Sequence, residues 1–319
     1  MRKIQILLEN ALESWSIAVR YCNDIQNGLA TLHYQKTFVS ALHNTIELLL
    51  KQIMLDDNDH SVISDVAVKS EEEAKLQLAF YQSKKLNDFF FSLSDEERNI
   101  FHSIEFSKLI DRKNKILKSY FDALDDATRD SRKGELAVAL TLLNNLRNNE
   151  THFYISKIDY LSCKDFITLH NLMIVIYEIM EKYNLLPYFG EPWDEFKHLA
   201  FKVKEIDPSF SFYNAVCSSP IAKSVKETLT EKSLFSYGDR PYELAEEYFG
   251  YLSQQNKQSS YTFNEILSII TMMNQFDLIK FIPYDDVVIP PDCDDRELTD
   301  FEKDMLTTIV RVRSISFGF

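Results

Sequence analysis

The stretch Ala41-Leu42-His43-Asn44-Thr45-Ile46-Glu47-Leu48-Leu49-Leu50-Lys51 decides the fold class. Leu42, Ile46, Leu49 and Leu50 recur at helical spacing, and Leu32, Phe38, Val39 and Ile53 extend the same stripe. The spacing predicts one helix over 31–55, ended by Asp56-Asp57-Asn58-Asp59. His43 and Glu47, at i and i+4, share a face. That spacing suits a metal, but no third ligand accompanies it, so the pair reads as an ordinary helix-face contact.

The same period continues on either side. Ile4, Leu7, Leu8, Ala11, Leu12, Trp15, Ala18, Val19 and Cys22 predict a helix over 4–26, closed by the turn Asn27-Gly28. Residues 60–70 read as a loop, 71–91 as a helix, and Ser94 with Glu97 as a capping box. Further helices are expected over 104–128, 135–147 and 163–184, with Arg129 to Gly134 as a charged break. Six Gly and eight Pro are few for 319 residues, which disfavours sandwiches and Gly-rich nucleotide loops and favours long helices. The class is therefore all-α: a helical bundle over 1–185, then a mostly helical C-terminal domain over 186–319.

Pro187, Gly190 and Pro192 mark that boundary. Beyond it, helices are expected near 192–204, 220–230, 241–255 and 263–276, the last capped by Thr262 and Glu265. Ile279 to Ile289 reads as a small β-hairpin around Tyr284-Asp285-Asp286, and 299–312 as a final helix. Helix, turn, helix, hairpin is the order of a winged helix. The recognition helix would carry almost no Lys or Arg, so structural packing or protein contact is favoured over DNA reading.

Net charge is -14, with 22 basic and 27 acidic residues in 1–185 and 13 and 22 beyond. A chain this acidic does not coat a polyanion; a local basic cleft or a basic partner is compatible with it. Arg112, Lys113, Arg129, Arg132 and Lys133 are the candidate backbone-binding cations, though acidic residues interleave them. No run of eighteen apolar residues occurs, and Met1-Arg2-Lys3-Ile4 leads into an amphipathic helix, so a cytoplasmic protein without a membrane span is expected. Cys22, Cys163, Cys217 and Cys293 lie far apart with no C-x-x-C, which points to free thiols and no zinc site.

The stretch Arg147-Asn148-Asn149-Glu150-Thr151-His152-Phe153-Tyr154 carries the chemistry. Arginine grips a phosphate with two donors, and histidine moves a proton near neutral pH. On one straight helix, residues five apart are separated by about 140°. A bend or helix start inside the motif, or a second copy of the chain, is then needed to join the two groups. In a purely structural reading, Arg147 and His152 pair with Glu150 at a helix end.

Arg147-Asn148-x-x-x-His152, late in a bundle and before its last long helix, resembles the signature of the HEPN superfamily, many of whose members are metal-independent ribonucleases. Leu8 to Ser14 and Ala41 to Lys51 resemble that bundle's first two helices. The resemblance covers roughly residues 1–185. It implies cyclising cleavage of RNA without metal or other cofactor. His152 would be the general acid or base, Arg147 the phosphate ligand and Asn148 an orienting group, in a homodimer that joins two motifs. Tyr154 extends the likeness to toxins whose nucleotidyltransferase antitoxin adenylylates that tyrosine. A toxin or anti-phage effector, restrained by such an antitoxin or another protein regulator, is the leading expectation. The alternative is a non-catalytic HEPN-like module that binds a nucleotide or protein.

Overall fold

A computed structural model describes residues 5–64, 69–152, 161–186, 203–231, 241–254, 261–283 and 308–312, the side chains of 149–152, 230–231, 282–283 and 308–312 excepted. The chain is all-α in class. It divides into two compact units: Met1–Cys22 with Lys36–Glu205, and Asn23–Gln35 with Ile206–Phe319. Residues 23–35, expected in the N-terminal bundle, group with the second unit.

Helices α1 (Leu8–Gln26) and α2 (Leu32–Asp56), which lie in the first unit up to Cys22 and from Lys36, follow the expected stripes. Phe38, Val39, Leu42, Ile46, Leu49, Leu50 and Ile53 are all buried. Each such side chain contributes about 1.5–3 kcal/mol on leaving water. The burial of α2 exceeds the stripe, because Lys51, Gln52, Met54 and Leu55 are also buried. Gln52 therefore needs partners inside. Its Oε1 accepts from Leu7 N at 2.9 Å, and its Nε2 donates to Asp56 Oδ1 at 3.0 Å and Asn87 Oδ1 at 2.9 Å. Asn87 Nδ2 and Gln5 Nε2 also donate to Asp56, at 2.8 and 2.7 Å. This network ties the chain start and the 86–92 segment to the end of α2.

The expected helix over 71–91 is two helices, α3 (Glu71–Gln82) and α4 (Leu86–Ser92). Distant side chains cause the break. His60 Nε2 lies 3.0 Å from Phe80 O and 3.1 Å from Ser83 O, where it ends α3, and Asn58 Oδ1 accepts from Leu86 N at 3.0 Å, where it starts α4. The Ser94–Glu97 capping box is present and opens the short α5 (Asp95–Arg98). The expected helix over 104–128 becomes α6 (Phe106–Ile116) and α7 (Lys118–Phe121), interrupted at buried Leu117 with φ -95° and ψ 22°.

The charged break expected at 129–134 does not exist. Helix α8 runs unbroken from Asp126 to His152. Asp125 Oδ1 accepts from Thr128 N at 3.0 Å and starts the helix earlier than the apolar period does. Arg129 reaches back to Phe121 O at 2.9 Å and Leu124 O at 2.8 Å, and pairs with Asp126 at 2.9 Å. Arg98 repeats the pattern, with Phe90 O at 3.0 Å, Phe91 O at 3.4 Å and Asp95 at 2.9 Å. Helix α9 (Cys163–Lys182) opens on a Ser162–Asp165 capping box and packs along α8.

Four helices end the same way. Gly28, Asn58, Asn184 and Asp277 have positive φ, and the residue after each donates its N–H to a carbonyl five residues back. This Schellman geometry satisfies carbonyls that helix ends leave open. Leu29, Leu185 and Leu278, which follow three of the caps, are buried.

The second unit contains α10 (Phe212–Ser218), α11 (Pro220–Glu231), α12 (Pro241–Gln254) and α13 (Phe263–Gln275), the last on its expected Thr262–Glu265 capping box. Helix α13 is central and packs on α10, α11 and α12. The expected hairpin is different: β1 (Ile279–Pro283) pairs antiparallel with β2 (Thr308–Val312), Phe281 opposite Val310. Residues 308–312 are thus strand, where a helix was expected. Their β-branched run, Thr308-Ile309-Val310, favours the pleated partner over the helix. Residues 284–307, with the expected Tyr-Asp-Asp turn, and the expected helix over 192–204 through residue 202 lie outside the described residues. The order helix, helix, strand, strand matches the winged-helix order. However, α13 carries no Lys or Arg and buries Ile266, Ile269, Ile270, Met272 and Met273. No described helix is long and apolar enough to cross a membrane.

Two stability outcomes follow. Gly28 has φ +95°, and a Cβ there would lie 3.0 Å from Ala215 O and Val216 Cα, so Gly28→Ala should cost about 1–3 kcal/mol in denaturant unfolding. Asp59 is raised by burial, but hydrogen bonds from Lys115 and Ser61 prevail and hold it at about 2, against 3.8 for the ordinary group. Its stabilising effect is therefore full above about pH 4 and lost as pH falls toward 2. Lys115 is 73% exposed, so solvent screening leaves about 1 kcal/mol. Asp59→Asn should be less stable than wild type at neutral pH and equal to it near pH 2.

Candidate functional site

Arg147, Asn148 and His152 occupy the last two turns of α8. The backbone has neither the bend nor the helix start that would bring Arg147 and His152 together within one chain. Positions 147 and 152 therefore lie about 140° apart around the helix. Arg147 is half-buried and Asn148 exposed. Nothing is described of the His152 side chain, and Tyr154 lies outside the described residues.

The α8 surface carries a distinct row. Gly134, Val138, Thr141, Asn145 and Asn148 are all exposed and uncharged, at alternating spacings of four and three. Val138 is 66% exposed, and a Cβ at Gly134 would meet nothing within 4 Å. The same spacing reaches position 152. Such a 4–3 row is the pattern by which one helix meets another along its length.

A polar ladder runs along α2. His43, Glu47 and Lys51 rise along one face of α2. His43 Nδ1 lies 3.7 Å from Glu47 Oε2, and Lys51 Nζ donates to Glu47 Oε1 and, at 2.8 Å, to Ser103 Oγ. Lys51 is nearly enclosed, its side chain 7% exposed, while His43 keeps 12% and Glu47 26%. The His43 ring packs on Phe106 of α6 at 4.1 Å between centroids, and α6 packs on α8. Burial pushes the His43 pKa below the usual histidine range. Glu47 opposes that shift, while the charges of Arg147 and Lys51 add to it. The shift favours the neutral imidazole.

The sequence pairs His43 with Glu47, and the structure places them together. Lys51 and Ser103 were missed. The available signal for Lys51 was a lone lysine among Leu48, Leu49, Leu50, Ile53 and Met54, where a charge needs a partner. Ser103 carried no signal, because it lies fifty-two residues away along the chain.

The other cations engage protein acceptors. Arg112 donates to Ser61 O at 3.0 Å and Lys113 to Ile110 O at 3.1 Å. Arg132 bridges Glu135 at 3.2 Å and Glu178 at 3.0 Å, and Lys133 lies 5.5 Å over the Phe121 ring. With Arg129 on its carbonyls, these five do not converge on Arg147 in any described contact. Among the described residues, no group of three His, Cys, Asp or Glu could hold a metal ion. No family model, curated protein or solved structure matches the chain.

The charges around His43 can be read directly by nuclear magnetic resonance titration of its ring. Glu47→Gln should lower the His43 midpoint further, and Arg147→Gln should raise it. A midpoint indifferent to Arg147→Gln would place the guanidinium away from the imidazole.

Proposed function

We propose that the chain is a metal-independent endoribonuclease of HEPN type that acts as a homodimer. One observation carries the reading: the Arg147–His152 motif closes a long unbroken helix whose exposed 4–3 row is uncharged. A single straight helix separates positions 147 and 152, so the motif needs a partner to complete it. The row ending at 152 suits a second copy of α8, and Gly134 lets another backbone come close. In this reading, His152 transfers a proton to or from the reacting oxygens. Arg147 holds the phosphate and offsets charge growing on its oxygens. Asn148, exposed one residue after Arg147, orients the phosphate or the histidine. The product is a 2′,3′-cyclic phosphate and a free 5′-hydroxyl. A toxin or anti-phage effector, held in check by a protein regulator or by adenylylation of Tyr154 by a nucleotidyltransferase, is the setting this activity suits.

A second reading also has support. Arg112, Arg129 and Arg132 donate to protein acceptors, which suits a non-catalytic module that binds a protein or nucleotide.

The two readings separate in one assay. With EDTA present, wild type should cut single-stranded RNA to cyclic-phosphate ends, and His152→Ala and Arg147→Ala should each lose at least about a hundredfold. Val138→Asp should weaken dimerisation and cleavage together. Equal cleavage by wild type, His152→Ala and Arg147→Ala rejects the ribonuclease reading.

A further inference from the structure

We infer that the second unit carries a docking face for an arginine in a basic segment of another protein, built from Tyr242, Glu246 and Phe249 of α12 and Phe263 of α13. The assignment stands apart from the ribonuclease reading and names a partner chemistry which that reading leaves open.

Helix α12 packs inward through Leu244, Ala245, Tyr248 and Leu252. Its other aromatic residues lie off that side. Tyr242 and Phe249 are seven residues apart, so they stand two turns apart on one face, with Glu246 between them. Phe263, the first residue of α13, meets both rings edge-on. Its centroid lies 5.3 Å from that of Tyr242 at 74° and 6.1 Å from that of Phe249 at 86°. Tyr242 is 49% exposed and Glu246 is exposed, while Phe249 and Phe263 are half-buried. A Cβ on Gly250, next to Phe249, would meet nothing within 4 Å, so the face is open there. The Glu246 carboxylate belongs to this frame: it accepts a hydrogen bond from the Tyr242 hydroxyl, and its charge adds to that bond in raising the phenol pKa.

The charge around the rings has one sign. Helices α12 and α13 hold Glu243, Glu246, Glu247 and Glu265 and no Lys or Arg. Aromatic faces are electron-rich and attract a cation laid over them, and a carboxylate beside them offers the oxygens that a guanidinium fork fits. An ammonium meets the same charge but stacks less well, because the guanidinium is planar and more weakly hydrated. A nucleic-acid strand would bring phosphates against four carboxylates and is repelled. The occupant this face fits is a cationic protein segment, with an arginine laid on Tyr242 and paired to Glu246. Tyrosine and arginine are among the side chains that most often carry the binding energy of protein contacts.

The test is calorimetric titration of the full-length protein, at physiological ionic strength, with an acetylated peptide of Gly-Arg repeats and with its Gly-Lys counterpart. The Gly-Arg peptide should bind, and more tightly than Gly-Lys. Tyr242→Ala and Glu246→Gln should each weaken that binding at least about fivefold, with melting temperatures near wild type. Tyr242→Phe keeps the ring and should stay within about twofold of wild type. Glu71→Gln removes the same charge from α3, where that side chain is 83% exposed, and should change nothing. Equal losses in Glu71→Gln and Glu246→Gln mean attraction to net charge alone and overturn the assignment. Equal affinities for the two peptides overturn it too, as does binding that emerges only in Arg240→Gln, two residues before Tyr242 in the chain. No binding by wild type is the plainest refutation. RNA cleavage enters none of these readouts, so failure here leaves the ribonuclease reading untouched.

Discussion

Enclosing charge and amide on the central helix of the first unit constrains everything around it. Lys51 and Gln52 sit where an apolar residue would be simpler. A buried ammonium or amide without partners costs several kcal/mol, so each fixes the groups that satisfy it. Gln52 fixes the backbone at Leu7, the carboxylate of Asp56 and the amide of Asn87. Lys51 fixes Glu47 and Ser103. Two consecutive residues thereby hold the chain start, the 86–92 helix and the loop before α6 against one helix. The apolar stripe supplies most of the stabilisation; these polar pairs set which neighbours pack at which height.

Much of the helical framework was legible because it is local. Leu42, Ile46 and Leu49 declare α2, and the Ser94–Glu97 and Thr262–Glu265 boxes are helix starts whose bonds form within four residues. Legibility failed where distant groups decide. His60 and Asn58 split the 71–91 segment through acceptors and donors twenty or more residues away. Charge at 129–134 suggested a break, yet Arg129 and Arg132 engage Phe121, Leu124 and Glu178 and continue the helix. Strand 308–312 has an apolar run too short to tell strand from helix by period alone, and its partner lies at 279–283.

The site was legible in its parts and not in its arrangement. Arg147 and His152 could be named from spacing, and the angular separation between them computed. What spacing cannot give is which neighbouring helices pack on α8. His43 and Glu47 appeared as an ordinary i, i+4 pair because nothing in their own window shows Phe106 packed on the imidazole or Ser103 holding Lys51. The third member of that row is a lysine, Lys51, whose ammonium pairs with Glu47.

Arg98 and Arg129 have a consequence for how this bundle can vary. Each closes a nine-residue corner, Phe-x-x-Leu-x-Asp-x-x-Arg, by donating to two carbonyls and one aspartate that precede it. Such a fork is beyond lysine, whose ammonium cannot span three separated acceptors in a plane. The corner therefore acts as a hinge pin whose bend is written into a short motif rather than into the core. Insertions should be rejected inside the two corners and tolerated outside them, so lineages of this fold would diverge in loop length everywhere except at those two joints.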